Sequence, residues 1–353
     1  MPSPLPPLPE GEGECRPAPP RRGRNLPSPL PPLPTGEGKC RPTPPRRGGD
    51  LPSPLPPLPE GEGSNIRAFG AIIELNAPDN LYRPLLTHAA RPSTYDVTAL
   101  DENGQQRITP IAGEHPLTLY VDKREILTLM TLGAAPEALA IGYLRNQRLL
   151  DKLEDIVSVQ VDWDVNAVVI ATRHGLADLD AKLGKRTATS GCGQGTVFGD
   201  LMQEIDSVRL PADARLTRST LQALLDRVRL HETIYKQAGA VHGCALASNG
   251  DGASDIIYFV EDVGRHNAVD AIAGLMWLDR VYGADKIFYT TGRLTSEMVI
   301  KAAQMEIPFL VSRSGLTQMG YEIAQKVGIT MIGRATGKHF LLFSGGERFR
   351  GGS

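Results

Sequence analysis

Apolar and polar positions follow regular spacings along most of the chain, and these spacings predict a mixed α/β fold. In the first half, short apolar runs separated by turn residues predict two strand pairs around one helix. These elements are the strands 117–121 and 126–130, the helix 136–144, which begins at a proline, and the strands 157–162 and 167–172.

In the second half, strands and helices alternate, which predicts a sheet with parallel neighbours joined by right-handed crossovers. The predicted helices are 216–238, 268–281, 296–306 and 317–327, and the predicted strands are 240–247, 256–260, 286–290, 309–312, 329–332 and 339–343. The first two of these strands are joined by Asn-Gly-Asp-Gly, a sequence typical of a hairpin turn.

Residues 1–64 lack any such pattern. The sequence Pro-Ser-Pro-Leu-Pro-Pro-Leu-Pro begins at Pro2, Pro27 and Pro52, and most of the 29 prolines lie here. A segment without an apolar face cannot offset the entropy of ordering, so we expect a disordered Pro-rich repeat tail. The near-identity of the copies favours an acquired repeat over a spacer or a ligand for SH3-like domains.

The same patterns divide the rest of the chain. We predict a small, mostly-β domain with one helix at 65–186 and a mobile cysteine loop with a linker at 187–215. An α/β domain follows at 216–346, and a short C-terminal tail at 347–353.

Composition excludes several classes of function. The chain has 38 Lys and Arg against 40 Asp and Glu, a formal net charge of −2, which argues against nucleic acid or a membrane surface as the main partner. No apolar run approaches the roughly 20 residues of a transmembrane helix, and no secretion signal is evident. Two of the 4 cysteines, Cys15 and Cys40, lie in the repeat tail, and Cys192 and Cys244 show neither a disulfide framework nor paired zinc spacing. We therefore expect a reduced, cytoplasmic protein without a metal site.

The densest group of polar residues runs from Glu261 to Asp270, between an apolar strand and an amphipathic helix. Unpaired N–H groups and the helix dipole point to a helix N-terminus, so acidic groups, Arg265 and His266 there predict a binding or proton-handling site. An elaborate helix cap is the alternative, although a cap needs only one such residue. His242 is a second candidate for proton handling, and a hydrogen-bonded, half-buried histidine is the equally plausible alternative there.

One thiol, Cys192, lies in a loop among three glycines, with two lysines and an arginine just upstream. Nearby positive charge favours the thiolate, which is the nucleophilic form. By itself the pattern leaves a reactive thiol and an inert one both open, because a lone cysteine in a glycine-rich turn is more often inert.

Two further stretches suit an anion. Arg293 follows a predicted strand and a glycine just before a helix, an arrangement that binds phosphate. Residues 333–339 combine Arg334, Lys338 and His339 with two glycines in a tight connection, which suits a pyrophosphate nest. A solvated hairpin turn is the alternative for the second stretch.

The stretch from Glu261 to Asp270 resembles the signature of the formate dehydrogenase accessory sulfurtransferases, the FdhD/NarQ family. Other segments that resemble the family occur in the family's order, over about residues 108–345. They are Glu114–Val121, Leu139–Leu144, Ser190–Gly193, Gly239–His242, Thr291–Arg293, Lys301–Ala302 and Gly333–Arg334.

The resemblance implies a cytidine-deaminase-like three-layer domain. A zinc deaminase needs a His-x-Glu motif and a Pro-Cys-x-x-Cys motif at the starts of two helices. The corresponding positions read His266-Asn267-Ala268 and Thr291-Gly-Arg-Leu-Thr295, so the catalytic glutamate and both thiolates are missing. We therefore expect no deamination.

The resemblance also implies a sulfurtransferase that acts as a homodimer. A cysteine desulfurase would load a persulfide onto Cys192, and the sulfur would pass to molybdenum cofactor destined for formate dehydrogenase. That cofactor, bis-molybdopterin guanine dinucleotide, would be bound transiently as cargo. The expected cargo-binding residues are Arg334, Ala335, Thr336, Gly337, Lys338, His339, Arg293, His266 and Asp262. Two alternatives stay open, a cofactor chaperone that transfers no sulfur and a cysteine hydrolase that pairs Cys192 with a histidine.

The chain departs from the family pattern in three places. Gly195 stands where the family has its second loop cysteine, so we expect a single persulfide at Cys192 to suffice. Use of Cys244 as a second thiol and impaired transfer are the alternatives, and we expect Cys244 to be a buried small hydrophobe. Arg334 and Thr336 replace the family's phenylalanine and arginine, and residues 145–147 lack its acidic residue followed by glycine.

Overall fold

The computed structural model describes residues 82–175, 205, 208–231 and 233–351. By its internal contacts the chain divides into two compact units, Met1–Ile73 and Glu74–Ser353. The first unit, and with it the predicted Pro-rich tail, lies outside the described residues. The predicted division into smaller domains stays a prediction.

The secondary structure is mixed α/β. The strands are β1 (Leu85–Leu86), β2 (Thr94–Leu100), β3 (Gln106–Ala112), β4 (His115–Val121), β5 (Arg124–Thr131), β6 (Ile156–Asp162), β7 (Ala167–Thr172), β8 (Leu216–Thr217), β9 (His242–Ser248), β10 (Ile256–Asp262), β11 (Lys286–Thr290), β12 (Phe309–Ser312), β13 (Thr330–Thr336), β14 (His339–Ser344) and β15 (Phe349–Arg350). The helices are α1 (Pro136–Asn146), α2 (Arg218–His231), α3 (Ile234–Ala238), α4 (Arg265–Leu278), α5 (Ser296–Gln304) and α6 (Gln318–Val327), with short 3₁₀ turns at Leu153–Asp155 and Gly346–Arg348.

A five-stranded sheet with the order β1-β6-β7-β4-β5 forms the first half. Alternate residues of its strands, such as Leu117, Leu119 and Val121 in β4, are buried, as a sheet with one covered face requires. Helix α1 covers this face, and Pro136 begins it at a position where its missing N–H costs nothing. Strands β2 and β3 form a separate antiparallel ribbon.

A six-stranded sheet with the order β10-β9-β11-β12-β13-β14 forms the second half. Its strands β11, β12 and β13 run parallel, and β9, β10 and β14 are antiparallel to their neighbours. Apolar side chains of α4, α5 and α6 pack on one face, and those of α2 pack on the other. This sheet and its helices therefore form three layers.

The helices α1 and α4 cross at two glycines. A side chain at Gly142 would place its Cβ 1.7 Å from the carbonyl oxygen of Asp270, and one at Gly274 would place it 1.9 Å from that of Ala138. The two backbones therefore touch directly. This contact joins the cores of the two sheets, because α4 packs Ala271 into the first core and Val269 into the second.

Three predicted elements differ from the structure by more than two residues at one end. The predicted helix 216–238 is two helices, α2 and α3. The second begins at Ile234, whose backbone N–H donates to the carboxylate of Glu261 in β10. The helix predicted from residue 268 begins at Arg265, so three polar residues lie inside its first turn. The strand predicted to end at residue 332 continues to Thr336. The connection predicted at 333–339 is therefore shorter than expected, because only Gly337 and Lys338 form the turn between the antiparallel strands β13 and β14.

Candidate functional site

One edge of the six-stranded sheet collects the ends of five strands. The parallel strands β11, β12 and β13 all end there, because their register pairs Thr290 with Ser312 and Val311 with Ile332. The strands β9 and β10 are antiparallel, and His242 and Asp262 lie opposite each other in their register. Both residues therefore lie at the same edge. In open α/β sheets, ligands bind outside the carboxyl ends of the parallel strands.

Five basic residues stand along this edge. They are His242, Arg265, Arg293, Arg313 and Arg334, and we call them the cationic edge. His242 begins β9, Arg265 begins α4, and Arg293 and Arg313 follow β11 and β12. Arg334 lies in a bulge of β13 with a φ of 52°, and its backbone N–H donates to the carbonyl of Ser314 at 2.8 Å. A positive φ outside glycine costs energy and is common at functional sites.

The charges of this group act on one another. Burial lowers the pKa of half-buried His242 first, and Arg265, Arg293 and Arg313 lower it further because they repel its protonated form. His242 is therefore kept neutral among cations. Such a group attracts anions more strongly than an isolated arginine does.

Arg265 is held by close packing. Its side chain is 4% exposed and lies against Gly292, where a Cβ would stand 2.8 Å from the Cδ of Arg265. Glycine at position 292 is therefore needed for the backbone and the arginine stem to approach this closely.

The carboxylates of the 261–270 stretch turn inward. Glu261 accepts hydrogen bonds from the backbone N–H groups of Thr233, Ile234 and Tyr235 at 2.9–3.1 Å, so it caps α3. Asp262 accepts from the Thr131 hydroxyl at 2.5 Å and also from the amides of Leu132, Gly264 and Asn267. Both side chains are 5% exposed. These two residues join neighbouring elements, and the predicted contact of Asp262 with cargo stays a prediction.

Asp270 belongs to a buried ion pair. Lys301 of α5 donates to Asp270 Oδ2 at 2.9 Å, and Asn146 of α1 donates to Asp270 Oδ1 at 2.7 Å. Burial alone would lower the pKa of Lys301, but the negative charges of Asp270 and Glu297 outweigh it and raise that pKa. Lys301 is therefore charged, and the pair links three helices in the interior.

His266 is buried behind the cationic edge. It is 3% exposed, and its Nδ1 lies 3.3 Å from Oε1 of Glu297. Burial, followed by the charges of Lys301 and Arg265, lowers its pKa to about 2. A group so far from its ordinary pKa is a poor acid or base at neutral pH. The half-buried His242 is therefore the better candidate for the predicted proton handling.

Replacing His266 by glutamine should flatten the dependence of stability on pH. The folded pKa of about 2 lies below the unfolded value of about 6.5, so the unfolded chain binds more protons between these values. The contribution of neutral His266 to the free energy of unfolding is complete above about pH 6.5, and it is lost as the pH falls toward the folded pKa. Between pH 6.5 and pH 4.5, protonation of this residue in the unfolded chain should lower the free energy of unfolding by about 2 kcal/mol. The variant should not show this decrease.

Urea unfolding at pH 6.5, 5.5 and 4.5 measures this difference. The control is His174→Gln, because His174 is exposed on the first half of the fold. Equal pH slopes for wild type and His266→Gln would contradict a neutral, buried imidazole at position 266.

Cys244 lies in β9, two residues after His242 of the cationic edge. It is fully buried, as predicted, and its thiol donates to the Thr290 hydroxyl at 3.3 Å. Burial raises the pKa of this thiol to about 12. Because thiolate is the nucleophilic form, Cys244 is poorly suited to be a second sulfur-carrying thiol.

The structure brings several predicted residues together and leaves others apart. Cys192 lies outside the described residues. Arg293 and Arg334 join the cationic edge, and Ala335 is buried beneath it at 2% exposure. Thr336, Lys338 and His339 are exposed at the β13–β14 turn, and Gly337 there has a φ of 56°. Which of these residues contact cargo stays a prediction.

Sequence analysis missed Arg313 as a member of the site. Its signal was available, because Arg313 follows the predicted strand 309–312 just as Arg293 follows the predicted strand 286–290. The carboxyl ends of parallel strands share an edge, so the two arginines had to be neighbours.

Among the described residues, no cluster of three or more His, Cys, Asp or Glu is arranged to hold a metal ion. No helix in the described ranges is both long and apolar enough to cross a membrane.

Comparisons with known proteins agree on one family. The model of the FdhD/NarQ family matches residues 112–350. The sulfur carrier protein FdhD of Wolinella succinogenes is 27% identical over 250 residues, which cover 69% of this chain and 86% of that protein. The protein of the same name from Listeria monocytogenes is 30% identical over 253 residues, which cover 69% of this chain and 93% of that protein. A crystal structure presented as a formate dehydrogenase accessory protein of Desulfotalea psychrophila matches 73% of this chain and 100% of its own, with a TM-score of 0.59 and 26% identity.

Proposed function

Because the chain belongs to the FdhD/NarQ family, we propose that it is a sulfurtransferase, a sulfur carrier required for formate dehydrogenase activity. It passes persulfide sulfur from a cysteine desulfurase to the molybdenum cofactor before the cofactor enters formate dehydrogenase. The observation that carries this proposal is the family match over residues 112–350, which includes both the Cys192 loop and the cationic edge.

Cys192 accepts the sulfur. Its thiolate attacks the outer sulfur of the desulfurase persulfide, and a new S–S bond forms on Cys192. The old S–S bond breaks, and the desulfurase cysteine leaves as a thiolate, so no external oxidant or reductant is needed. Cys244 takes no part in this step, because burial keeps its thiol protonated.

The cationic edge binds the cargo, bis-molybdopterin guanine dinucleotide, which is the substrate of the transfer. Its pyrophosphate groups carry negative charge, and three arginines at strand ends beside a neutral histidine fit such groups. Arg334 to His339 extend this surface along the β13–β14 turn. Buried His266 and Asp262 support the surface from behind.

The proposal includes the finer architecture and setting. The order of the second half, a helix, a hairpin and then alternating helices and strands, supports a cytidine-deaminase-like domain without deaminase chemistry. We place the protein in the cytoplasm as a homodimer that meets a desulfurase and formate dehydrogenase in turn.

Mass spectrometry tests the loading step. The purified chain is incubated with a cysteine desulfurase and L-cysteine and then digested without reductant. The peptide with Cys192 should gain the mass of one sulfur atom, and the peptide with Cys244 should gain none. Loading of the Cys244 peptide in place of the Cys192 peptide would overturn the assignment.

A second candidate is a chaperone that holds and delivers the cofactor without transferring sulfur. The observation that favours it is that the cationic edge needs no thiol to bind an anion, while Gly195 replaces the family's second loop cysteine.

A further inference from the structure

The strands β2 and β3 form a two-stranded ribbon of their own, and among the described residues no third strand pairs with it. Both strands carry large apolar side chains that water reaches, because Leu100, Ile108 and Ile111 are 69%, 77% and 45% exposed. A ribbon of only two strands is marginally stable in water, and grouped exposed apolar side chains are typical of interaction surfaces. The ribbon is therefore a candidate surface for a partner.

The ribbon is held in place at both ends. At its tip, Asp101 accepts hydrogen bonds from the backbone N–H of Gln105 at 2.9 Å and from Nε of Arg107 at 2.8 Å. At its base, the Tyr95 hydroxyl lies 3.1 Å from Nε2 of His115 in β4. A segment that is ordered before a partner arrives loses little entropy on binding.

The hydrogen bonds of the ribbon show which backbone groups point away from it. Facing pairs in an antiparallel ladder alternate between pairs that bond each other and pairs whose backbone groups point outward. The backbone N–H of Gly113 donates to Ser93 at 2.9 Å at the base, and that of Asp101 donates to Gln105 at 3.0 Å at the tip. Between these bonded pairs, the register gives the outward-pointing pairs as Thr94–Ala112, Asp96–Pro110, Thr98–Ile108 and Leu100–Gln106.

The two outer edges of the ribbon differ in their capacity to accept a further strand. The edge of β3 includes Pro110, which has no N–H to donate. Helix α3 also lies beside β3, where Ala112 packs against the apolar cluster that contains Ile234. The edge of β2 has no proline, and its outward-pointing residues Asp96 and Thr98 are exposed. Only β2 therefore offers a free edge.

We propose that β2 pairs with β2 of a second copy of this chain, antiparallel and centred on Val97, so that the two ribbons form one four-stranded sheet. In this register Asp96 faces Thr98 of the second copy, and Thr94 faces Leu100 of the second copy. Every outward-pointing residue of β2 then has a partner, as a self-complementary contact about a two-fold axis requires. The inference rests on the proposed homodimer and adds its contact surface.

The charge of β2 favours this register over its neighbours. Asp96 is the one charged residue of the strand. A register centred on Asp96 would set two carboxylates opposite each other, and like charges in facing positions are destabilising. A register centred on Thr98 would leave Thr94 without a partner in β2. The register centred on Val97 avoids both costs and sets two β-branched side chains against each other, a favourable cross-strand pair.

Proline substitutions at one facing pair test the edge that pairs. Thr98 and Ile108 lie opposite each other, and their N–H groups point to opposite outer edges, so proline at either position spares the bonds within the ribbon. Thr98→Pro should raise the Kd of the dimer at least about tenfold, because donors are lost from the contact. Ile108→Pro is the matched control and should change that Kd less than about twofold.

Charge substitutions at Thr98 test the register. Thr98→Asp sets carboxylates opposite Asp96 in both symmetric pairs and should raise the Kd of the dimer about threefold or more. Thr98→Lys sets an ammonium group there and should lower that Kd. Sedimentation velocity of the full chain over a series of concentrations measures each Kd, and thermal unfolding checks that each variant is folded.

The possible results separate this inference from the proposed function. If wild type is a dimer and the two proline variants weaken it equally, or neither weakens it, the homodimer stands and pairing through β2 is overturned. Equal effects of Thr98→Asp and Thr98→Lys would overturn the register. A wild type that stays monomeric at every concentration would overturn the homodimer and the pairing together. Sulfur loading of Cys192 is measured separately, so its failure would leave the pairing intact.

Discussion

Replacing Cys192 by alanine should reduce activation of formate dehydrogenase by at least about 100-fold, the scale of loss when a covalent nucleophile is removed. The physical reason is that alanine cannot form the S–S bond that carries the sulfur. Binding of guanosine diphosphate should stay at the wild-type level, since the cationic edge is built from other residues. The measurement is formate dehydrogenase activity in cells that lack the endogenous carrier and express the variant.

Two further variants sharpen this result. Cys192→Ser keeps the size and polarity of the side chain and should be as inactive as alanine. Gly195→Cys restores the family's second loop thiol and should be at least as active as wild type, if one persulfide suffices here. Full activity of Cys192→Ala with normal nucleotide binding would instead support the chaperone.

Strands that are buried on both faces could be read from the sequence with little error. The strands β11 and β12 have the predicted bounds, because their apolar runs end at the polar residues Thr290 and Ser312. Both faces of β11 and β12 are covered by helices, so nearly every position must be apolar. Local composition alone decides such elements.

Helix boundaries failed where polar side chains fold inward. Arg265, His266 and Asn267 were expected to precede α4, as part of a binding or proton-handling site at its N-terminus. They lie within its first turn, at 3–4% exposure. Their partners, such as the Met130 carbonyl that accepts from Asn267, are distant in sequence. A local pattern carries no information about such partners.

The candidate site shows the same limit. Sequence pattern found the stretches around Arg265 and Arg293, but it could not separate the groups that face outward from those that hold the fold together. Glu261 and Asp262 turn inward because α3 and β5 supply hydrogen-bond donors to their carboxylates. The crossing of α1 and α4 was also hidden, because Gly142 and Gly274 lie far apart in the sequence.

Replacing Lys301 by methionine should lower the free energy of unfolding by about 3–5 kcal/mol, the cost of leaving a buried charge without its partner. Lys301 is 1% exposed and Asp270 is fully buried, so water cannot replace the lost ammonium group. Because α4 also carries Arg265, the ion pair holds the helix that forms part of the cationic edge. Urea unfolding at neutral pH measures the loss.

The partly exposed ion pair of Lys286 and Asp285 provides a control for the same chemical change, with Lys286 15% exposed. Asp285 is 78% exposed, so Lys286→Met should cost less than about 1 kcal/mol. The double variant Lys301→Met with Asp270→Asn removes both charges and keeps an acceptor for Asn146. It should be more stable than Lys301→Met alone, because the penalty comes from the unpaired carboxylate and not from the missing lysine. If the double variant were no more stable, packing and not charge would account for the loss.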